Sequence, residues 1–222
     1  MTDVSSTPEK VANRRGLFRL GERALEAEGW AISRVPRGGK SSLRQIARGS
    51  EKKKVSIRTS QDTWIAFPRR ADGTWVTLDE VDFVLAVSVD DRLNPTEARV
   101  HMIPGEVARD RFNRAYNARD EAGHTQPDGR GIWVSLYDRE TPGGPVAHVG
   151  GGMGAEYKPI LVQNLRKDPL TVPGLAAAAD EPVAARVSTF DGEATLTIPE
   201  AKRRLARTLG VPETAIRITV EH

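Results

Sequence analysis

Apolar residues recur at helical spacing over residues 17–28. Leu17, Phe18, Leu20, Ala24, Leu25 and Ala27 fall largely on one face, and Gly29 follows as a stop. The period then shortens. Residues 30–35 predict a strand, and Pro36-Arg37-Gly38-Gly39 predicts a turn. Residues 54–59 alternate, with Val55 and Ile57 to one side and Ser56 and Arg58 to the other. Two further strands are expected at 63–67 and 74–77. The near-continuous apolar run at 81–89 predicts a strand buried on both faces. A strand at 98–103 follows. Pro104 then opens a helix to about residue 121, with Val107, Phe112, Ala115 and Ala118 inward. Residues 132–137 predict the last strand of this block.

The pattern changes after residue 137. Residues 138–184 hold Pro142-Gly143-Gly144-Pro145, Gly150-Gly151-Gly152-Met153-Gly154, Pro169, Pro173 and an alanine run. They read as a long loop and linker, with a short strand or turn at 160–164. The glycine cluster reads as a hinge rather than a phosphate loop. Regular spacing returns at 185–222 as strand, Asp191-Gly192 turn, strand, helix and strand. Thr197 and Glu200 form a capping box, and Gly210 ends the helix. The organisation expected is therefore a flexible arm at 1–16, an α/β domain at 17–137, the linker, and a small β-β-α-β unit at 185–222. The domain should hold one main sheet carrying 54–59, 63–67, 81–89 and 98–103, with the first helix packed on it.

Charge sharpens this picture. The 222-residue chain carries a formal +3, yet residues 30–70 hold eleven basic residues against Glu51 and Asp62 alone. Such asymmetry points to a polyanion partner. Arg37, Lys40, Arg44, Lys52, Lys54 and Arg58 are the expected phosphate contacts. Strand alternation places Lys52, Lys54, Ser56 and Arg58 on one side. Trp64 is the aromatic best placed to join them, whereas Trp75 and Trp133 read as strand residues of the core. There is no cysteine, which excludes disulfides and thiolate metal sites. No apolar run approaches the length of a membrane span, no signal-peptide pattern opens the chain, and the cytoplasm is the expected location.

The order of helix with Gly21-Glu22, strand, basic turn, then Val55-Ser56-Ile57-Arg58-Thr59-Ser60 before a tryptophan-bearing strand resembles the PD-(D/E)xK nuclease-like superfamily over residues 17–137. The resemblance implies a restriction-endonuclease-like fold, a central mixed sheet with flanking helices, and a cleft that faces nucleic acid. It also implies a Mg²⁺ site of carboxylates beside a lysine. Ser56 stands where that strand wants an acid, and Arg58 where it wants the lysine. Arginine keeps the charge but does not readily give up a proton. Glu22 alone matches the accessory helix glutamate and is the one weak catalytic candidate. The expectation is a catalytically degenerate, nucleic-acid-binding domain, not an enzyme, with no metal and no cofactor.

Other chemistry fits poorly. Gly38-Gly39-Lys40-Ser41 lacks the earlier glycine of a nucleotide phosphate loop, since Arg34 stands there. His101, His124, His148 and His222 have no metal-ligand spacing. Two alternatives remain beside binding of DNA or RNA. One is a protein-interaction module, with partner contacts or self-association through 185–222. The other is an active nuclease that combines Glu22 with Asp62 or Asp82.

Overall fold

The computed structural model describes residues 8–35 and 42–170. The first helix, α1 (Pro8–Ala27), begins inside the segment expected to be a flexible arm. Proline suits a helix's first turn, and good helix formers follow it. Its end is the one the sequence announces. Gly29 takes a left-handed φ of 82°, its N–H bonds to the Glu26 carbonyl, and the Trp30 N–H bonds to the Leu25 carbonyl.

A six-stranded mixed sheet follows. Strands β1 (Ala31–Arg34), β2 (Leu43–Arg48) and β3 (Glu51–Ser60) form an antiparallel meander, with Leu43 opposite Ser56. β5 (Phe83–Val89) runs parallel to β3, so that Ser56 lies beside Val84 and Arg58 beside Ala86. β6 (Glu97–Pro104) is antiparallel to β5, and β8 (Pro159–Asn164) to β6.

The strand expected at 63–67 forms as β4 (Trp64–Pro68), but it is not in this sheet. It pairs with β7 (Gly131–Ser135) in a separate two-stranded sheet. The parallel pairing of β3 and β5 explains why β4 lies apart. Parallel neighbours need a crossover, and residues 61–82 are that crossover. β4 is carried away from the sheet within it. No strand forms at 74–77. Trp75 makes an isolated bridge to Arg69, and the chain enters a 3-10 turn at Leu78–Glu80.

The two faces of the main sheet bury two cores. On one, Leu17, Leu20, Ala24 and Leu25 of α1 pack on Val55, Ile57, Leu85 and Val87. On the other, helix α2 (Gly105–Glu121) sets Ala108, Phe112 and Ala115 against Val84, Ala86 and Ile103. Ile65, Phe67, Ile132 and Val134 of the small sheet join this second core. The inward stripe of α2 therefore runs through Ala108. Val107 is only partly buried, and so is Ala118. Phe112 meets Phe67 edge-on at 5.1 Å and Trp75 at 5.6 Å.

Gly21 sets how closely α1 approaches the sheet. A Cβ there would lie 3.0 Å from Val87, 3.1 Å from Leu85 and 3.3 Å from Ile57. Gly21→Val should therefore cost about 1–3 kcal/mol by overpacking, read as a lower denaturant midpoint. An unchanged midpoint would contradict so tight a contact.

Residues 138–170, expected as loop and linker, are folded. They hold a 3-10 turn, the short helix α3 (Met153–Glu156) and β8. The glycine cluster packs in place and is no hinge. A Cβ on Gly150 would fall on the Arg111 carbonyl, and Gly150 also needs its φ of 79°. The chain divides into two units, 1–179 and 180–222. The small unit expected at 185–222 lies outside the described residues. Among the described residues no helix is long and apolar enough to cross a membrane.

His101 ties this folded segment to β6. It is buried, with Nδ1 2.6 Å from the Tyr157 carbonyl and Nε2 2.8 Å from the Tyr137 hydroxyl. A carbonyl only accepts, so Nδ1 carries the proton and the tyrosine hydroxyl donates to Nε2. Burial, opposed by the Tyr157 carbonyl and aided by the Arg99 charge, holds the imidazole below its ordinary pKa. The unfolded chain thus takes up this proton first. Stability from His101 is complete above about pH 6.5 and falls as pH drops through the folded value. His101→Gln should remove that acid-side loss from the pH profile of the unfolding midpoint. An identical profile would contradict the assignment.

Candidate nucleic-acid interface

The β4–β7 pair shows how an alternating pattern makes two different surfaces. Ile65, Phe67, Ile132 and Val134 turn inward. The opposite face carries Trp64 across from Ser135, Ala66 across from Trp133, and Pro68 across from Gly131. Ser135 is buried at the end of this face, but Trp133 is 54% exposed.

This face is one wall of a groove of about 760 Å³. Arg14, Arg15 and Phe18 of α1 line it, with Arg34 of β1, Ser42 and Arg44 at the start of β2, and Ile57, Arg58 and Thr59 of β3. Among the described residues five arginines and two tryptophans line it, and no aspartate or glutamate does. Arg14, Arg15 and Arg34 are exposed. Arg44 is held: its Nε bonds to Glu22 at 2.8 Å, and its guanidinium lies 4.7 Å from the Phe18 ring centre.

Arg58 sits deepest. Its guanidinium lies 4.1 Å over the Phe67 ring and donates to the Thr77 hydroxyl. Arg58 Nε and the neighbouring Ser56 Oγ are buried without a hydrogen-bond partner among the described residues. Burial lowers the Arg58 pKa to about 10, so the side chain stays charged at neutral pH. Thr77 holds its hydroxyl there from a left-handed backbone, φ 71°, a costly conformation for a β-branched residue.

The residues singled out from the sequence separate into groups. Arg44, Arg58 and Trp64 meet at the groove. Lys52 and Lys54 are exposed at the start of β3, at the opposite end of the strand from Thr59, and do not line it. Beside them Lys53 lies 3.9 Å from Asp82, and the Lys54 N–H donates to the same carboxylate at 2.8 Å. Arg37 and Lys40 lie outside the described residues. Arg69 and Arg70 line a different hollow that also holds Asp72 and Asp128.

Glu22 is taken up by Arg44, Asp62 by Ser60 Oγ and the Trp64 N–H, and Asp82 by β3. The three have separate partners. Among the described residues no group of three His, Asp or Glu could hold a metal ion.

Sequence reasoning missed Arg14, Arg15, Arg34 and Trp133 as site residues. Trp133 had a readable signal, since Ile132 and Val134 flank it at the inward parity. Arg14 and Arg15 stand in the stretch read as a flexible arm.

No protein-family model and no curated protein matches the chain. A solved structure, "Crystal Structure of MepB", aligns over 60% of this chain and 85% of that one, at 8% identity and a TM-score of 0.31. A likeness of that size says nothing of fold or function.

Proposed function

We propose that this chain binds nucleic acid in the groove between α1 and the β4–β7 pair. One observation carries the proposal: among the described residues five arginines line the groove and no carboxylate does. Guanidinium groups present forked donors that suit phosphate oxygens, and phosphate contacts release counterions from the polymer. Arg14, Arg15 and Arg34 meet the backbone from the rim. Arg44 is pre-set by Glu22, and Arg58 supplies a charge held against Phe67 and Thr77.

The domain is read further as nuclease-like without the nuclease's chemistry. Supporting this are the mixed sheet with its parallel β3–β5 pair, α1 and α2 on opposite faces, and Ser56 and Arg58 in place of acid and lysine. The separate β4–β7 sheet departs from the single sheet that this reading implied. The binding proposal does not depend on it.

The experiment is equilibrium binding of random-sequence single strands and duplexes across a salt series. Affinity should fall linearly on a log–log plot, by about 0.7–0.9 per phosphate neutralised. No binding to either at low salt would overturn the proposal. Binding of an acidic protein or peptide instead would assign the groove to a protein partner.

A further inference from the structure

The groove holds more than charge. Trp64 and Trp133 occupy diagonal positions on the outward face of the β4–β7 pair. Side chains so placed have Cβ atoms about 7–8 Å apart or somewhat less, within reach of aromatic rings. Their neighbours on that face are Ala66, Pro68, Gly131 and the buried Ser135. Beside these small residues Trp133 is 54% exposed and Trp64 is partly exposed. A Cβ at Gly131 would already stand 3.9 Å from the Trp133 indole nitrogen.

Among the described residues the exposed large apolar side chains are Leu93, Trp133 and Val162, and Trp133 is the aromatic one. It lies within the arginine-lined groove. Phe18 adds a third ring to the lining, with Arg44 stacked over it.

We infer that the groove's ligand is an unpaired polynucleotide strand, whose bases stack on Trp133 and Trp64 while its phosphates meet the arginines. This rests on the proposed nucleic-acid binding and narrows it. Charge alone would serve a duplex equally well. Open aromatic faces would not, because a duplex hides its base faces within its own stack. A single strand can turn bases to one wall and phosphates to the others. Every base has a π-face, so recognition is tolerant of sequence. Phosphates and base faces are common to DNA and RNA, so strands of both kinds bind.

The test uses the full chain with oligo-dA, oligo-dT, oligo-rA, a duplex, and inorganic polyphosphate as a polyanion without bases. Single strands should bind more tightly than the duplex and quench tryptophan emission. Polyphosphate should bind without quenching. Trp133→Ala should weaken single-strand binding by about 5- to 150-fold and leave polyphosphate binding unchanged, and Trp133→Phe should restore most of the loss. Trp30 and Trp75 are buried, so their emission reports that each variant is folded.

Equal losses for oligonucleotide and polyphosphate would overturn the stacking inference. So would salt-dependent binding that neither Trp133→Ala nor Trp64→Ala alters; in both cases the electrostatic groove would stand. Failure of the wild-type chain to bind any of the nucleic acids would remove the reading beneath it.

Discussion

Replacing Arg14, Arg15 and Arg34 together with alanine should flatten the salt dependence of nucleic-acid binding by about two to three log–log units. These three arginines are exposed on the groove, and no ion pair engages them among the described residues. Each that meets a phosphate releases its share of counterions, about 0.7 on a single strand and 0.9 on duplex DNA. The loss should be nearly independent of sequence, because backbone contacts carry no base information. Lys52→Ala with Lys54→Ala is the matched control. Those lysines lie outside the groove, so the pair should flatten the slope by less than about one unit. If the lysine pair has the larger effect, the binding surface is the start of β3. Surface arginines of this kind contribute little to stability, so both variants should unfold near the wild-type midpoint.

The second large effect concerns Arg58. Burial disfavours its charge, as its pKa of about 10 shows. The folded value lies below the unfolded one, so at neutral pH the fold bears a cost for holding the guanidinium charged. Stability linked to Arg58 rises only as pH climbs past about 10 toward the ordinary arginine value. Contact with Phe67 and the bond to Thr77 offset part of that cost. Methionine fills a similar volume without a charge to desolvate. Arg58→Met should leave the protein as stable as wild type or more stable by about 1 kcal/mol. It should also weaken nucleic-acid binding by about 10- to 100-fold, the size of one charge-assisted contact. Retention of a destabilising charge is what a binding residue looks like. A loss of more than about 2 kcal/mol with unchanged affinity would instead make Arg58 a structural pin for the crossover.

The sequence made some of this legible and hid the rest for identifiable reasons. α2, β3, β5 and β6 declare themselves through periodicity, and α1 through Leu17, Leu20 and Leu25 with Gly29 as its stop. β2 does not. Its buried residues, Leu43 and Ile46, lie three apart and serve opposite cores, so no alternation survives. The strands at 64–68 and 131–135 are both visible, but their pairing is not. Pairing of β4 with β7, some 65 residues on, follows from the crossover between β3 and β5, which local pattern does not encode. The strand or turn expected at 160–164 forms as β8, but the glycines and prolines before it, which read as linker, pack tightly.

At the site, the density of basic residues was legible and its centre was not. Lys52, Lys53 and Lys54 form the longest unbroken basic run within residues 30–70, yet they lie outside the groove. Arg14 and Arg15 reach the groove only because α1 starts at Pro8 and carries them there. Trp133 looked like core because strand tryptophans commonly are. Its exposure depends on which face of β7 the rest of the fold covers.

The most direct test of the central claim is where a bound strand touches the chain. An oligonucleotide bearing diazirine groups along its backbone, crosslinked to the full protein at low salt and mapped by mass spectrometry, would read this out. Crosslinks should fall on residues 14–18, 34, 42–44, 64–68 and 131–133, and disappear with excess unlabelled strand. Crosslinks confined to residues 51–54, or to the hollow around Arg69 and Arg70, would contradict the account.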